Sequence, residues 1–200
     1  MQRSAAAGSG RWTRWTGLGV AAGAALAALA AVSWTGMKLG AAGHTPVEKI
    51  ARGQQIAHTS GCNDCHTPGF FYGVPDTTRL LSGSELGWEG PWGVTYPRNL
   101  TPDTETGIGS WSEQDIVNAF RTGRRPDNTP ILPPMPWPAY AHMDDDDAYA
   151  LAAYLKSIPP IRHRAPDRIP PDVPASGPRL TFPAAPAWDG QHMAPPLAAK

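Results

Sequence analysis

Both cysteines of this 200-residue chain fall in one pentapeptide, Cys62-Asn63-Asp64-Cys65-His66, and no other feature narrows the possible architectures as far. In a helical turn, residues i, i+3 and i+4 share a face. Two sulfurs and one imidazole are thereby presented together. This spacing reads as covalent attachment of a c-type haem, with the thiols meeting two vinyl groups along one porphyrin edge and the imidazole beneath the iron. A thioredoxin-like redox pair would sit in a βαβ pattern, and none surrounds the motif. A structural zinc site needs a fourth Cys or His, and His44, His58, His142, His163 and His192 show no partner spacing. A disulfide across so short a loop is disfavoured, although an exported compartment permits one.

A second axial ligand decides what such an iron does. Met135 stands in Ile131-Leu132-Pro133-Pro134-Met135-Pro136-Trp137-Pro138. The prolines fix φ near −65° and remove backbone donors, so the segment is expected to be a stiff extended strap rather than a helix interior. Holding a weak thioether in place beforehand lowers the entropy lost when it binds. Met135 could instead fill a gap in the core, the usual role of methionine. Met143 and His142 are the competing ligands; Met143 is placed to staple onto Ala148 across an N-cap at Asp144.

Start and stop signals predict three principal helices around the motif. Thr45-Pro46-Val47-Glu48 combines a capping box with Pro at the first helical position, which predicts a helix to about Thr59 with Val47, Ile50 and Ala57 inward. Gly61 then allows a sharp entry into the Cys-to-His turn. Ser112-Glu113-Gln114-Asp115 opens a second helix, with Ile116, Val117 and Phe120 buried and Gly123 as the stop. Asp144 to Asp147 open a third, with Ala148, Leu151, Leu155 and Ile158 at 3-4-3 spacing and Pro159-Pro160 at the end. Four consecutive acids there resemble a partner-docking patch, but they also suit the free N–H groups and the dipole of a first turn, which is the preferred reading. The expected fold class is all-α, a helical domain over residues 46–160.

From Pro68 to Pro102 the chain is rich in Gly, Pro and aromatic residues and lacks a helical period. So long a connection in a compact domain calls for a function, and wrapping a haem is one. Leu80, Leu81, Trp88, Trp92, Tyr96 and Leu100 could cover its apolar surface. Arg98, Trp92, Tyr96 and Asn99, with Arg79 as an alternative, are candidate donors to its propionates.

Three signatures in order carry a resemblance: Gly61-Cys62-x-x-Cys65-His66-Thr67; Asn99-Leu100-Thr101-Pro102-Asp103 with Gly107-Ile108-Gly109-x-Trp111-Ser112; and Pro134-Met135-Pro136 with Tyr140 and Ala150-Leu151-Ala152-Ala153-Tyr154-Leu155. The chain resembles a class I cytochrome c of the type found as membrane-bound, electron-accepting subunits of bacterial alcohol and gluconate dehydrogenases. The resemblance implies a cytochrome c-like fold around one covalent haem c. It makes Cys62 and Cys65 the thioether sites, His66 the proximal ligand and Met135 the distal one. Those subunits carry several haem motifs and this sequence carries one, so a dehydrogenase subunit and a stand-alone carrier are both open.

Seventeen Lys and Arg balance seventeen Asp and Glu, which argues against a nucleic-acid-binding chain. The balance hides a gradient. Residues 1–43 carry four basic residues and no acid, residues 44–160 carry eight against fourteen, and residues 161–200 carry five against three. Within 1–43, residues 16–37 form an uncharged Ala/Gly/Leu/Val stretch preceded by Arg3, Arg11 and Arg14. Trp15 and Trp34 are spaced roughly 28 Å apart as a helix, close to a hydrocarbon core of about 30 Å. The positive residues predict a cytoplasmic N-terminus (1–15), a transmembrane anchor at 16–37, a linker at 38–45 and a haem domain on the periplasmic side. A cleaved signal peptide with a site such as Ala28-Leu29-Ala30 is the rival form. Residues 161–200 read as a Pro-rich tail, either extended or disordered or laid as a strap on the domain, with Phe182 and Trp188 available to pin it.

The expected role is a monohaem electron carrier and not an enzyme. Its expected partners are a dehydrogenase or quinol-oxidising donor and an oxidase or other acceptor, with attachment to the cytoplasmic membrane. The alternative is a haem enzyme or gas sensor with a labile sixth ligand.

Overall fold

A computed structural model describes residues 45–183. The segment 16–37 and Trp188 lie outside them. Among the described residues, no helix is long and apolar enough to cross a membrane.

The helices are α1 (Pro46–Thr59), α2 (Cys62–His66), α3 (Glu113–Thr122), α4 (Trp137–Tyr140) and α5 (Asp145–Ser157). Local chemistry sets their ends. Thr45 Oγ1 accepts the Glu48 N–H at 3.3 Å and the Glu48 carboxylate accepts the Thr45 N–H at 2.8 Å. Ser112 and Asp115 exchange the same pair at 3.1 and 2.9 Å, and Gly123 closes α3 at φ 67°. These are reciprocal caps that satisfy N–H groups left over by the first turn.

The core forms where α1, α3 and α5 meet. It contains Ile56, Ala57, Ile116, Val117, Phe120, Ala148, Leu151, Ala152 and Leu155, joined by Leu81 and Ile108 from the connecting loop. Helices α1 and α5 cross with their backbones in contact. A Cβ added to Gly53 would stand 1.9 Å from the Ala150 carbonyl oxygen and 2.7 Å from Tyr154 Cβ. A helix-interior glycine costs about 1 kcal/mol relative to alanine, and here the close approach explains it. Val47 is the exception to the expected inward face. It is 76% exposed, because it lies in the first turn, beyond the crossing at Gly53.

The acids of α5 also reach other helices. Asp147 takes both ends of the Arg52 guanidinium at 2.8 Å, and Asp145 meets Arg121 at 2.6 Å. Asp144 occupies the N-cap without a side-chain capping bond. At the other end of α5, the Lys156 ammonium donates to the carbonyls of Gly109 and Trp111, both at 2.7 Å, and so fastens the loop that leads into α3.

The fold departs from an all-α expectation in the long connection. Strands β1 (Gly87–Gly90) and β2 (Gly93–Thr95) form a hairpin with Gly90 opposite Gly93, and β3 (Arg179–Thr181) adds to β1 in parallel. The chain beyond residue 160 is laid on the domain. Ile169 exchanges both backbone bonds with Val94, at 2.8 and 2.9 Å, on the outer edge of β2. The strap then turns back so that β3 closes the outer edge of β1. Phe182 rests on Trp88 and Trp92, with ring centroids 6.0 and 5.5 Å apart. Unpaired strand edges invite intermolecular pairing, and this hairpin has both edges closed.

Two predictions follow from these contacts. Gly53→Ala drives a methyl into the α5 backbone and is expected to lower unfolding free energy by about 1–3 kcal/mol, read as a lower denaturant midpoint at an unchanged slope. Asp76, Asp103 and Asp127 each accept from a nearby Thr hydroxyl and amide, and these bonds hold their carboxyls below the usual range, Asp76 down to about 2. A folded pKa below the unfolded one gives stability that is present above about pH 4 and lost as pH falls. NMR titration of the carboxyl carbons is expected to show Asp76 protonating near pH 2.

Candidate functional site

Gly61, at φ 70°, turns the chain sharply from α1 into α2, whose single turn sets Cys62, Cys65 and His66 on one face. Both thiols are free and half-buried. Burial pushes the Cys62 thiol up to about 11 and raises Cys65 as well, with Asp64 adding to both. A redox dithiol shows the opposite shift, a depressed pKa. Among the described residues, no group of three or more His, Cys, Asp or Glu is placed to hold a metal ion.

His66 is buried, and its Nδ1 lies 2.6 Å from the Arg98 carbonyl oxygen. A carbonyl only accepts, so Nδ1 carries the proton and the Nε2 lone pair is the one left to bind a metal. Burial pushes the imidazole pKa down and keeps the ring neutral. The following turn is tied in as firmly. Gly83 N–H donates to the His66 carbonyl at 2.8 Å, and Leu81 N–H donates to Thr67 Oγ1 at 3.1 Å. Leu81 is buried at φ 60°, a conformation that a leucine adopts only when its surroundings impose it.

Met135 is half-buried in a strap fastened at both ends. Ile131 N–H donates to the Gly123 carbonyl at 2.7 Å, and Thr95 Oγ1 donates to the Pro133 carbonyl at 2.7 Å. Beyond it, the Trp137 ring lies flush on Gly123, where a Cβ would come within 2.4 Å of the indole. Helix α4 then brings the Tyr140 hydroxyl to the Ser60 carbonyl at 2.7 Å, two residues before Cys62. Burial raises the Tyr140 pKa to about 12, so this donor keeps its proton. The methionine strap is thus bonded directly to the entrance of the cysteine turn. Of its competitors, Met143 packs against the core cluster and His142 is exposed.

The candidate propionate donors separate by their partners. Arg98 lies beside His66, donates to the Ala165 carbonyl at 3.2 Å and meets the exposed Asp167 at 3.6 Å. Trp92 Nε1 donates to the Trp88 carbonyl at 3.2 Å. Tyr96 is half-buried against Gly87. Asn99 is a buried scaffold node: its amide nitrogen donates to Ile161 O and Thr106 Oγ1, and its oxygen accepts from Thr101 twice. Arg79 pairs with Asp76 at 2.8 Å. Of the residues expected to cover a porphyrin, Leu81 lies in the core and Leu80 is largely exposed, while Trp88 joins the Phe71 and Phe182 rings.

Sequence reasoning did not single out Thr95, or Arg125 and Arg168, two arginines with unused donor capacity. The only sequence signal for Arg125 was the basic pair Arg124-Arg125 in an otherwise acidic domain. Arg168 donates to the Trp92 carbonyl through Nη2, and its buried Nε has no partner.

A family model described as Cytochrome c matches residues 50–159. The cytochrome c subunit of alcohol dehydrogenase (quinone) from Gluconobacter oxydans is 36% identical over 121 residues, which are 59% of this chain and 24% of that protein. The fructose dehydrogenase cytochrome subunit of Gluconobacter japonicus is 32% identical over 144 residues, 72% of this chain and 26% of that protein. The gluconate 2-dehydrogenase cytochrome c subunit of Pantoea cypripedii is 34% identical over 110 residues, 53% and 22% of the two chains. The chain spans about a quarter of the length of these relatives.

Gly73 and Gly123 give a paired test of the strap. Both have positive φ, but a Cβ at Gly73 would meet nothing within 4 Å. Gly73→Ala is expected to cost about 1 kcal/mol of backbone strain alone. Gly123→Ala adds the displacement of Trp137 and is expected to cost about 2–4 kcal/mol, both read by denaturant unfolding.

Proposed function

The chain belongs to the cytochrome c family, and on that premise we propose that it holds one haem c and passes single electrons between redox proteins outside the cytoplasm. One observation carries this reading. His66 is buried with Nδ1 locked on the Arg98 carbonyl and Nε2 free, on the same helical face as two unpaired thiols. The residues present fit the group: two protonated thiols for thioether bonds, a neutral imidazole for the iron, and guanidinium donors without acceptors for anionic substituents. A single attachment motif supports one haem on this stretch of chain.

When bound, the haem supplies reversible one-electron exchange between Fe(II) and Fe(III). The protein's part is to fix the ligands beforehand and exclude water. The Arg98 carbonyl sets the tautomer and ring orientation of His66. Thr95, Gly123 and Tyr140 hold the strap that carries Met135, whose sulfur would be the second ligand. A neutral sulfur and an imidazole as the two iron ligands would raise the potential and would leave no open position for a substrate.

The relatives are named as cytochrome subunits of alcohol, fructose and gluconate dehydrogenases. That supports a dehydrogenase as electron donor, with an oxidase or other carrier as acceptor. The uncharged stretch at 16–37, with arginines on its N-terminal side, supports a membrane anchor with the haem domain on the periplasmic side. Tethering would raise the effective concentration near membrane partners. The acidic balance of residues 44–160 supports a partner with a basic face.

The test is spectroscopic. Protein made with the thioether-forming machinery is expected to carry a covalent haem and, when oxidised, the red-region band of sulfur-to-iron ligation. Reduced protein is expected to bind carbon monoxide weakly, and Met135→Ala to bind it rapidly and lose that band. Rapid binding by the unaltered protein would favour an enzyme or sensor instead. Electron exchange with a basic partner is expected to slow as salt rises.

A further inference from the structure

Arg125 is one of the basic residues that make no ion pair among the described residues, and it is set apart by its place. It lies three residues past α3, at the root of the Met135 strap, with its backbone N–H held by the Thr129 carbonyl at 2.9 Å. The residue is half-buried, and among the described residues its guanidinium makes no hydrogen bond or ion pair. Asp127, the nearby acid, is exposed, and its Oδ1 accepts from the Thr129 amide and hydroxyl at 2.9 and 2.6 Å. The second charge facing Arg125 is another cation, Arg98, whose own carboxylate partner Asp167 is 3.6 Å away and 90% exposed. Burial and the repulsion from Arg98 push the Arg125 pKa down. A half-buried guanidinium with no hydrogen-bond partner of its own is stabilised by an anion placed beside it.

The placement says which anion. The Arg98 main chain accepts the proton of His66, and Arg125 starts the strap that carries Met135. The two cations therefore belong to the two segments that hold the axial ligands. A guanidinium fork matches the two oxygens of a carboxylate. We propose that Arg125, with Arg98, is the counter-charge of one carboxylate of the bound haem, and that this pair raises the midpoint potential of the iron. The sign follows from Coulomb's law: a fixed positive charge nearby disfavours the more positive Fe(III) state. Arg125 acts as a positioning and charge-setting residue. The proposal rests on the haem reading given above.

The experiment uses full-length holoprotein, unaltered and as Arg125→Gln and Arg125→Lys, with covalent haem content measured first. Redox titration followed by visible absorbance is expected to give a lower midpoint potential for Arg125→Gln at full haem content, with Arg125→Lys restoring most of the difference. A purely structural role would lower the unfolding midpoint and leave the potential alone. An unchanged potential in Arg125→Gln overturns the proposal, as it would if the carboxylate came from a partner protein, which is absent from the titration. Should the Gln variant fail to fold, the unaltered protein still decides. The Arg125 side-chain Nε–H resonance is expected to shift between the reduced and oxidised states, and no shift overturns the proposal. Unaltered protein without covalent haem would overturn the reading of the site itself, and this inference with it.

Discussion

The site is organised by one hydrogen bond, from His66 Nδ1 to the carbonyl of Arg98 at 2.6 Å. It joins a five-residue helical turn to a loop thirty-two positions later, and it determines which ring nitrogen is free. Everything around it serves to keep that carbonyl in place. The Arg98 side chain ties its loop to the strap at Ala165, and Asn99 ties the next residue to Ile161 and Thr106. Gly83, on the other side of the same loop, returns a bond to the His66 carbonyl. An imidazole so held loses little orientational entropy when it takes up a metal.

The packing beneath the site explains how so small a core supports it. The crossing of α1 and α5 uses Gly53 against Ala150 to bring two backbones together, which fixes the direction in which α1 delivers Gly61 and the cysteine turn. Helix α5 is tied to α1 through Arg52 and Asp147, and to the segment before it through Arg121, which reaches Ala141, Met143 and Asp145. The Met135 strap stands between these fixed parts. Its position relative to the cysteine turn is set by Tyr140 on Ser60 rather than by its prolines alone.

What could be read from the sequence divides along the range of the interactions. Helix ends were legible because capping is local: Thr45 with Glu48 and Ser112 with Asp115 lie three residues apart. The buried faces of α3 and α5 followed from their period. Val47 did not, since a period says which face turns inward but not where the neighbouring helix stops. The hairpin and β3 were illegible for the opposite reason. Strands of three or four residues carry almost no pattern, and their pairing joins Trp88 to Leu180 and Val94 to Ile169. At the site, the spacing of the two cysteines and the histidine is enough to place them on one helical turn, as α2 does. Asn99 was noticed as a donor, but the structure gives its amide to the loop and strap. Arg125 stands out only once its guanidinium is seen to meet no acceptor among the described residues.

The closing of the hairpin by residues 161–183 has a temporal side. A polypeptide is delivered N-terminus first, and the Cys62-to-His66 turn emerges about a hundred residues ahead of Ile169 and Arg179. During that interval, both outer edges of β1 and β2 and the amide of Asn99 lack their eventual partners. Arrival of the last strand closes those edges, so the direction of synthesis makes the scaffold of this loop the last part of the domain to be completed.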